Sequence, residues 1–128
     1  MIDEYNIKQA QENANQLAID FDGVIHKNSK GFHDGTIYDE PMPGAIDAIK
    51  SLSLTYDIVV FSAKAKPDRP LVNGKTGEEL IWEWLGKYNL IHYIKLVTSE
   101  KPRAVAYIDD KAIHFTNWED TLNEITNR

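Results

Sequence analysis

Six polar residues frame what this chain can do: Asp20 and Asp22, Ser62, Lys101, and the adjacent pair Asp109 and Asp110. Each has an ordinary explanation by itself. A lone aspartate or serine after an apolar run is usually a turn former or a helix cap, and a lysine before a proline is usually solvated. Taken together they describe a reaction centre. Residues i and i+2 of a strand project to one face roughly 7 Å apart, so Asp20 and Asp22 can address one point. Asp109 and Asp110 would bring further negative charge there, and clustered carboxylates raise one another's pKa values. A hard divalent ion relieves the repulsion, and Mg²⁺ binds one or two carboxylates together with waters and phosphate oxygens. A metal, a carboxylate nucleophile, a hydroxyl donor and a lysine are the parts of a phosphoryl-transfer site. Aspartate can form an aspartyl-phosphate, and Ser62 and Lys101 would contact the equatorial oxygens where transition-state charge sits.

These residues can meet only if the fold delivers them to one edge. Leu17 to Phe21 reads as a buried strand followed by a turn. Val24 to Pro43, rich in Gly, His, Asn, Asp and Pro, reads as a loop, with room for a small hairpin having Thr36 to Tyr38 as one arm. Pro43 opens a helix through Ser53, with Ile46, Ile49 and Leu52 on one stripe. Asp57 to Phe61 is a second strand, apolar enough for burial on both faces. After a loop from Lys64 to Lys75, a helix spans Thr76 to Tyr88 with Ile81, Trp84, Leu85 and Tyr88 on one face and Trp82 at its flank. Tyr93 to Val97 and Ala104 to Ile108 are further strands, Ile113 to Phe115 a short fifth, and Trp118 to Ile125 a final helix. Such alternation predicts an α/β fold: a parallel sheet with helices on both faces, whose ligand site lies beyond the carboxyl ends of the strands.

Composition sets the outer bounds. A chain of 128 residues is one domain's worth of material, covering 1–128 with residues 1–16 as a polar lead-in. Cysteine is absent, which removes disulfides, thiolate metal sites and cysteine nucleophiles. The net charge of −6 gives no global basic field for nucleic acid. Apolar runs such as Ile58 to Phe61 are far too short to span a membrane, and Met1 to Gln16 has no apolar signal region. The expectation is a cytoplasmic protein without a membrane partner.

Leu17-Ala-Ile-Asp20-Phe-Asp22-Gly23-Val24-Ile25 resembles the first motif of the haloacid dehalogenase (HAD) superfamily, an apolar strand ending in Asp-x-Asp-Gly-Val/Thr. Ile58-Val-Val-Phe-Ser62 resembles its second motif, Lys101-Pro102 its third, and Tyr107-Ile-Asp109-Asp110 its fourth, in the family's order. The resemblance implies a Rossmann-like three-layer fold with a central, mostly parallel sheet. It makes Asp20 the nucleophile and a Mg²⁺ ligand, and Asp22 the general acid and base that also offers its main-chain carbonyl to the metal. Ser62 would hold the phosphoryl group and Lys101 would pair with it and with Asp20. Asp109 would be the first choice as metal ligand, with Asp110 in support or in direct contact. Gly23, Ala63 and Lys64 would line the substrate, Lys64 standing where an arginine is frequent. The second aspartate of the first motif accompanies phosphatases rather than dehalogenases, and as an acid Asp22 would need a raised pKa. Residues 24–43 leave room for a flap but not for a cap domain, and capless members act on large substrates or close their sites by forming homo-oligomers.

The expected activity is therefore a Mg²⁺-dependent phosphohydrolase acting on a phosphate monoester. The competing readings are a receiver-like domain, for which the acceptor Asp57 begins rather than ends its strand, and a module that binds phosphorylated ligands without turnover. Nucleotides, nucleic-acid ends and sugar phosphates all remain open as substrates. Lys27, Lys30, Lys64, Lys66, Arg69 and Lys75 could form an anion-attracting rim. Phe32, Tyr38 and Trp82 could stack on a base or sugar. The histidines show no metal-ligand spacing and read as structural, with His26 and His33 as weak candidates for substrate contact.

Overall fold

Aliphatic and β-branched runs of four or five residues, each closed by a polar residue or a glycine turn, make the strands. The computed structural model describes residues 15–102, 104, 106–109 and 113–126. In chain order these form β1 (Gln16–Asp20), α1 (Ala45–Leu52), β2 (Asp57–Phe61), α2 (Gly77–Lys87), β3 (Ile94–Thr98), β4 (Ala106–Asp109), β5 (Ile113–His114) and α3 (Trp118–Thr126). Single 3₁₀ turns lie at Ala63–Ala65 and Ile91–Tyr93. All strand pairs are parallel, in the order β3-β2-β1-β4-β5, with the two-residue β5 at one edge. The arrangement is α/β, and the direction of winding reverses at β1.

Alternation along the strands sorts the residues onto two faces. Leu17, Ile19, Ile58, Val60 and Ile108 face one core, which Ala48 and Ile49 of α1, Ile81, Trp84 and Leu85 of α2, and Trp118 and Ile125 of α3 complete. The described helices thus cover one face of the sheet, and the second helical layer expected from the sequence is not among the described residues. The other face carries Ala18, level with Val59 and Tyr107, and Asp20, level with Phe61. Residues 99–105 join β3 to β4 with no helix among those described, a shorter route than the dozen or more residues a parallel crossover usually takes. The Tyr107 hydroxyl donates to the Pro102 carbonyl at 2.5 Å, fastening that segment to β4.

Two local features differ from the sequence reading. Gly44 adopts φ +83° and precedes the first helical residue, so α1 begins at Ala45 rather than at Pro43. Nor does Thr36 to Tyr38 form a hairpin arm. Asp34 accepts the Thr36 N–H and hydroxyl, and the Tyr38 hydroxyl contacts the Lys30 N–H and the Gly31 carbonyl. These short-range side-chain bonds satisfy the backbone in place of a strand ladder. α2, by contrast, starts beside Thr76 as expected, and a capping box fixes it there: the Thr76 hydroxyl accepts the Glu79 N–H, and the Glu79 carboxylate accepts the Thr76 N–H. The lead-in of residues 1–16 lies outside the described residues up to position 14.

Candidate functional site

Parallel sheets bind ligands beyond the carboxyl ends of their strands, at the point where strand order reverses. Here that point falls between β1 and β4. Asp20 closes β1, and Asp109 closes β4 one residue beyond the last register pair, Ile19 with Ile108. The two acids therefore end neighbouring strands. Ser62 follows β2 on the other side of β1, directly after Phe61, the register partner of Asp20. Asp57, at the opposite end of β2, pairs with Gln16 at the start of β1.

Beyond Asp20 the chain makes one more ladder bond, from the Phe21 N–H to the Phe61 carbonyl at 3.0 Å, and then turns sharply. The N–H groups of Ile25 and His26 both reach back to the Phe21 carbonyl at 2.9 Å, and Gly23 takes the left-handed φ of +82° that this turn demands. Phe21 is buried, while Asp20 and Asp22 on either side of it are half-buried. The turn also returns His26 beneath Asp22.

Asp22 is the hub. Its Oδ1 lies 3.0 Å from His26 Nδ1 and 3.1 Å from Lys64 Nζ, and its Oδ2 accepts the Ser62 hydroxyl at 3.2 Å. Ser62 Oγ in turn accepts the Lys64 N–H at 3.1 Å as the cap of the 3₁₀ turn. That turn carries Lys64 inward, so that its side chain is only 6% exposed against 22% for Asp22. His26 Nε2 accepts the Asp39 N–H at 3.0 Å, so Nδ1 is the nitrogen that carries the proton and donates to Asp22. The imidazole is fully buried, stacked on Phe21 and edge-on to Trp84, whose indole N–H holds the Asp39 carbonyl. Burial pushes the Asp22 carboxyl upward, but the His26 hydrogen bond and the Lys64 ammonium outweigh it, and the group titrates below the ordinary carboxylate value. The raised pKa expected of an acid is not the resting condition of this site; His26 and Lys64 reverse it.

Lys101 reaches the same neighbourhood from the β3–β4 segment. Its ammonium lies 5.6 Å from the Phe61 ring centroid and 5.5 Å from that of Tyr107, on the two strands that flank β1. This is the sheet face that Asp20 shares. Ala63 is exposed at the head of the 3₁₀ turn, and Gly23 sits in the turn above Asp22. Asp110 and the side chain of Asp109 lie outside the described residues. Among the described residues no three His, Asp or Glu side chains gather into an ion cage. The donor chemistry at the β1 and β4 ends is nevertheless that of a hard cation, because carboxylates on adjacent strand ends supply oxygen alone.

Sequence reasoning missed two connections. His26, expected to be structural or to touch substrate, instead holds Asp22; the only sequence signal is its position four residues on, across a glycine turn. Lys64 was assigned to substrate, and at rest it is the ion-pair partner of Asp22. The supposed cationic rim thins out as well: Lys27 pairs with Glu40 and Lys75 with Glu83. Tyr38 fastens its own loop, Trp82 packs against the core, and exposed His33 sits edge-on to Tyr38.

Comparison of the chain with protein-family models, with curated proteins and with solved structures finds no match. No helix among the described residues is long and apolar enough to cross a membrane. The functional reading therefore rests on the site itself.

Proposed function

We propose that the chain is a Mg²⁺-dependent phosphomonoesterase of haloacid dehalogenase type, with Asp20 as nucleophile. The observation that carries this reading is the convergence, at the reversal point of a parallel sheet, of Asp20, the Asp22–Ser62–Lys64 cluster and Lys101, with Asp109 ending the adjacent strand. The strand order β3-β2-β1-β4-β5 and the four motifs support the same family. Asp57 stands at the wrong end of β2 for a receiver domain, which weakens that alternative.

In the proposed reaction an Asp20 carboxylate oxygen attacks phosphorus, a new O–P bond forms, and the ester P–O bond breaks. Asp22 gives the leaving oxygen its proton. Water then attacks phosphorus, Asp22 takes the water proton, and the Asp20–phosphoryl bond breaks to release phosphate. Ser62 and Lys101 hold the phosphoryl oxygens, where fixed donors act most strongly. Asp20, the Asp22 carbonyl and Asp109, with Asp110 beside it, would hold Mg²⁺, which when bound neutralises phosphate charge and polarises the P–O bonds. The resting Asp22 carboxylate suits the second half of this cycle. For the first half Asp22 must take up a proton, and an ammonium drawn to the incoming phosphate would remove one of the two groups, with His26, that hold it ionised.

The test is phosphate release from an aryl phosphate with and without Mg²⁺, comparing wild type with Asp20→Asn. Release that requires Mg²⁺ and disappears in the variant supports the assignment. Release that survives the substitution removes Asp20 from the nucleophile's role.

A further inference from the structure

Beside the Asp22 cluster lies a cavity of about 250 Å³ whose walls come from the loop after β1, the loop after β2 and the start of α2. Phe32, Asp34, Lys64, Arg69, Val72 and Leu80 line it. Lys64 belongs both to this lining and to the Asp22 ion pair, so the cavity and the candidate site share a wall. Its volume lies just below the roughly 300–1,000 Å³ of sites for drug-sized ligands, enough for a single ring system.

One of its walls is a stacked, flat pair. Phe32 is 52% exposed although it is a large apolar ring, and the Arg69 guanidinium lies over it, 4.7 Å from the ring centroid. Arg69 is itself tethered, donating to the Ala63 carbonyl at 3.2 Å. An aromatic face and a guanidinium plane are the two protein surfaces on which planar rings stack. Val72 and Leu80 supply apolar contact, and Asp34 offers an acceptor for a ring N–H. Of the cationic residues in these loops, Lys64 and Arg69 are the two that line the cavity, which suits a ligand carrying its negative charge toward Asp22.

The geometry points to this cavity as the leaving-group pocket of the enzyme: it takes a planar, nitrogen-bearing ring attached to the phosphate ester, as in a nucleoside monophosphate, and stacks it on the open side of the Phe32–Arg69 pair. The inference rests on the phosphomonoesterase reading and narrows its substrate class.

The probes are adenosine 5′-monophosphate and ribose 5-phosphate, which share the leaving oxygen and differ in the ring. A stacked ring contributes enough to favour the nucleotide about tenfold in kcat/KM, chiefly through KM. Phe32→Leu, at a half-exposed position, should bring the two esters within about twofold of each other. Adenosine alone, titrated against the methyl resonances of Val72 and Leu80, reads ring binding without turnover. Methyl shifts with the tenfold preference support the pocket. Methyl shifts without hydrolysis of either ester leave the ring site standing and overturn the phosphatase. Equal hydrolysis of both esters without methyl shifts overturns the pocket and leaves the phosphatase standing. Neither shifts nor hydrolysis overturns both.

Discussion

Replacing Asp22 with alanine should destabilise the fold mainly by stranding Lys64. The Lys64 side chain is 6% exposed and its ammonium lies 3.1 Å from Asp22 Oδ1. Removing one partner of a buried pair costs about 3–5 kcal/mol, because the remaining charge is left without compensation. Asp22 is 22% exposed, so water can enter the space it vacates, and the lower end, about 3 kcal/mol, applies. For a chain of this size that corresponds to a fall in Tm of about 10–15 °C. Lys64→Met alone leaves Asp22 with its His26 and Ser62 donors and should cost only about 1–2 kcal/mol. The double variant strands no charge and should lose about 2 kcal/mol, so the coupling between the sites is about 2–3 kcal/mol. Urea unfolding followed by tryptophan fluorescence measures all three. Losses that add to within about 0.5 kcal/mol would refute the claim that Lys64 depends on Asp22.

Other outcomes follow from the same geometry. His26→Phe keeps the ring packing but leaves the Asp39 N–H unpaired and Asp22 short of a donor, costing about 1–3 kcal/mol by urea unfolding and slowing phosphate release. Gly77→Ala would place a methyl 1.6 Å from the Lys64 carbonyl oxygen, so α2 must move off the 3₁₀ turn, with a loss at or above the ~1–3 kcal/mol usual for overpacking. Asp39, bonded by the Ser29 hydroxyl and N–H and the Glu40 N–H, is depressed to about 2. Its stabilising effect is present above the unfolded value near 4 and is lost as pH falls toward 2. Carboxyl NMR should find that midpoint, and Ser29→Ala should raise it.

What the sequence made legible was whatever its local pattern determines. β2 has the bounds its apolar run suggests, Asp57–Phe61, and α2, Gly77–Lys87, lies within the expected span Thr76 to Tyr88. The strand-end placement of Asp20, Ser62 and Asp109 followed from reading those runs as parallel strands. Two things were not legible because long-range contacts decide them. Nothing in the spacing of Lys64 foretells that a three-residue turn will bury its ammonium against a carboxylate 42 positions earlier. Nor does the pattern of residues 99–105 reveal a short crossing of the sheet face that brings Lys101 beside Phe61 and Tyr107. The loop after β1 is a loop, as its composition suggests; its one antiparallel bridge joins His26 to Pro41 and not Thr36 to Tyr38, whose region is held by local Asp34 and Tyr38 bonds.

The central claim is that Asp20 forms the bond to phosphorus. Borohydride added during turnover with Mg²⁺ and a hydrolysed ester reduces an aspartyl-phosphate to homoserine, which peptide mass spectrometry locates in the sequence. The account predicts homoserine at position 20. Homoserine at position 22, or none anywhere while phosphate is still being released, would contradict it.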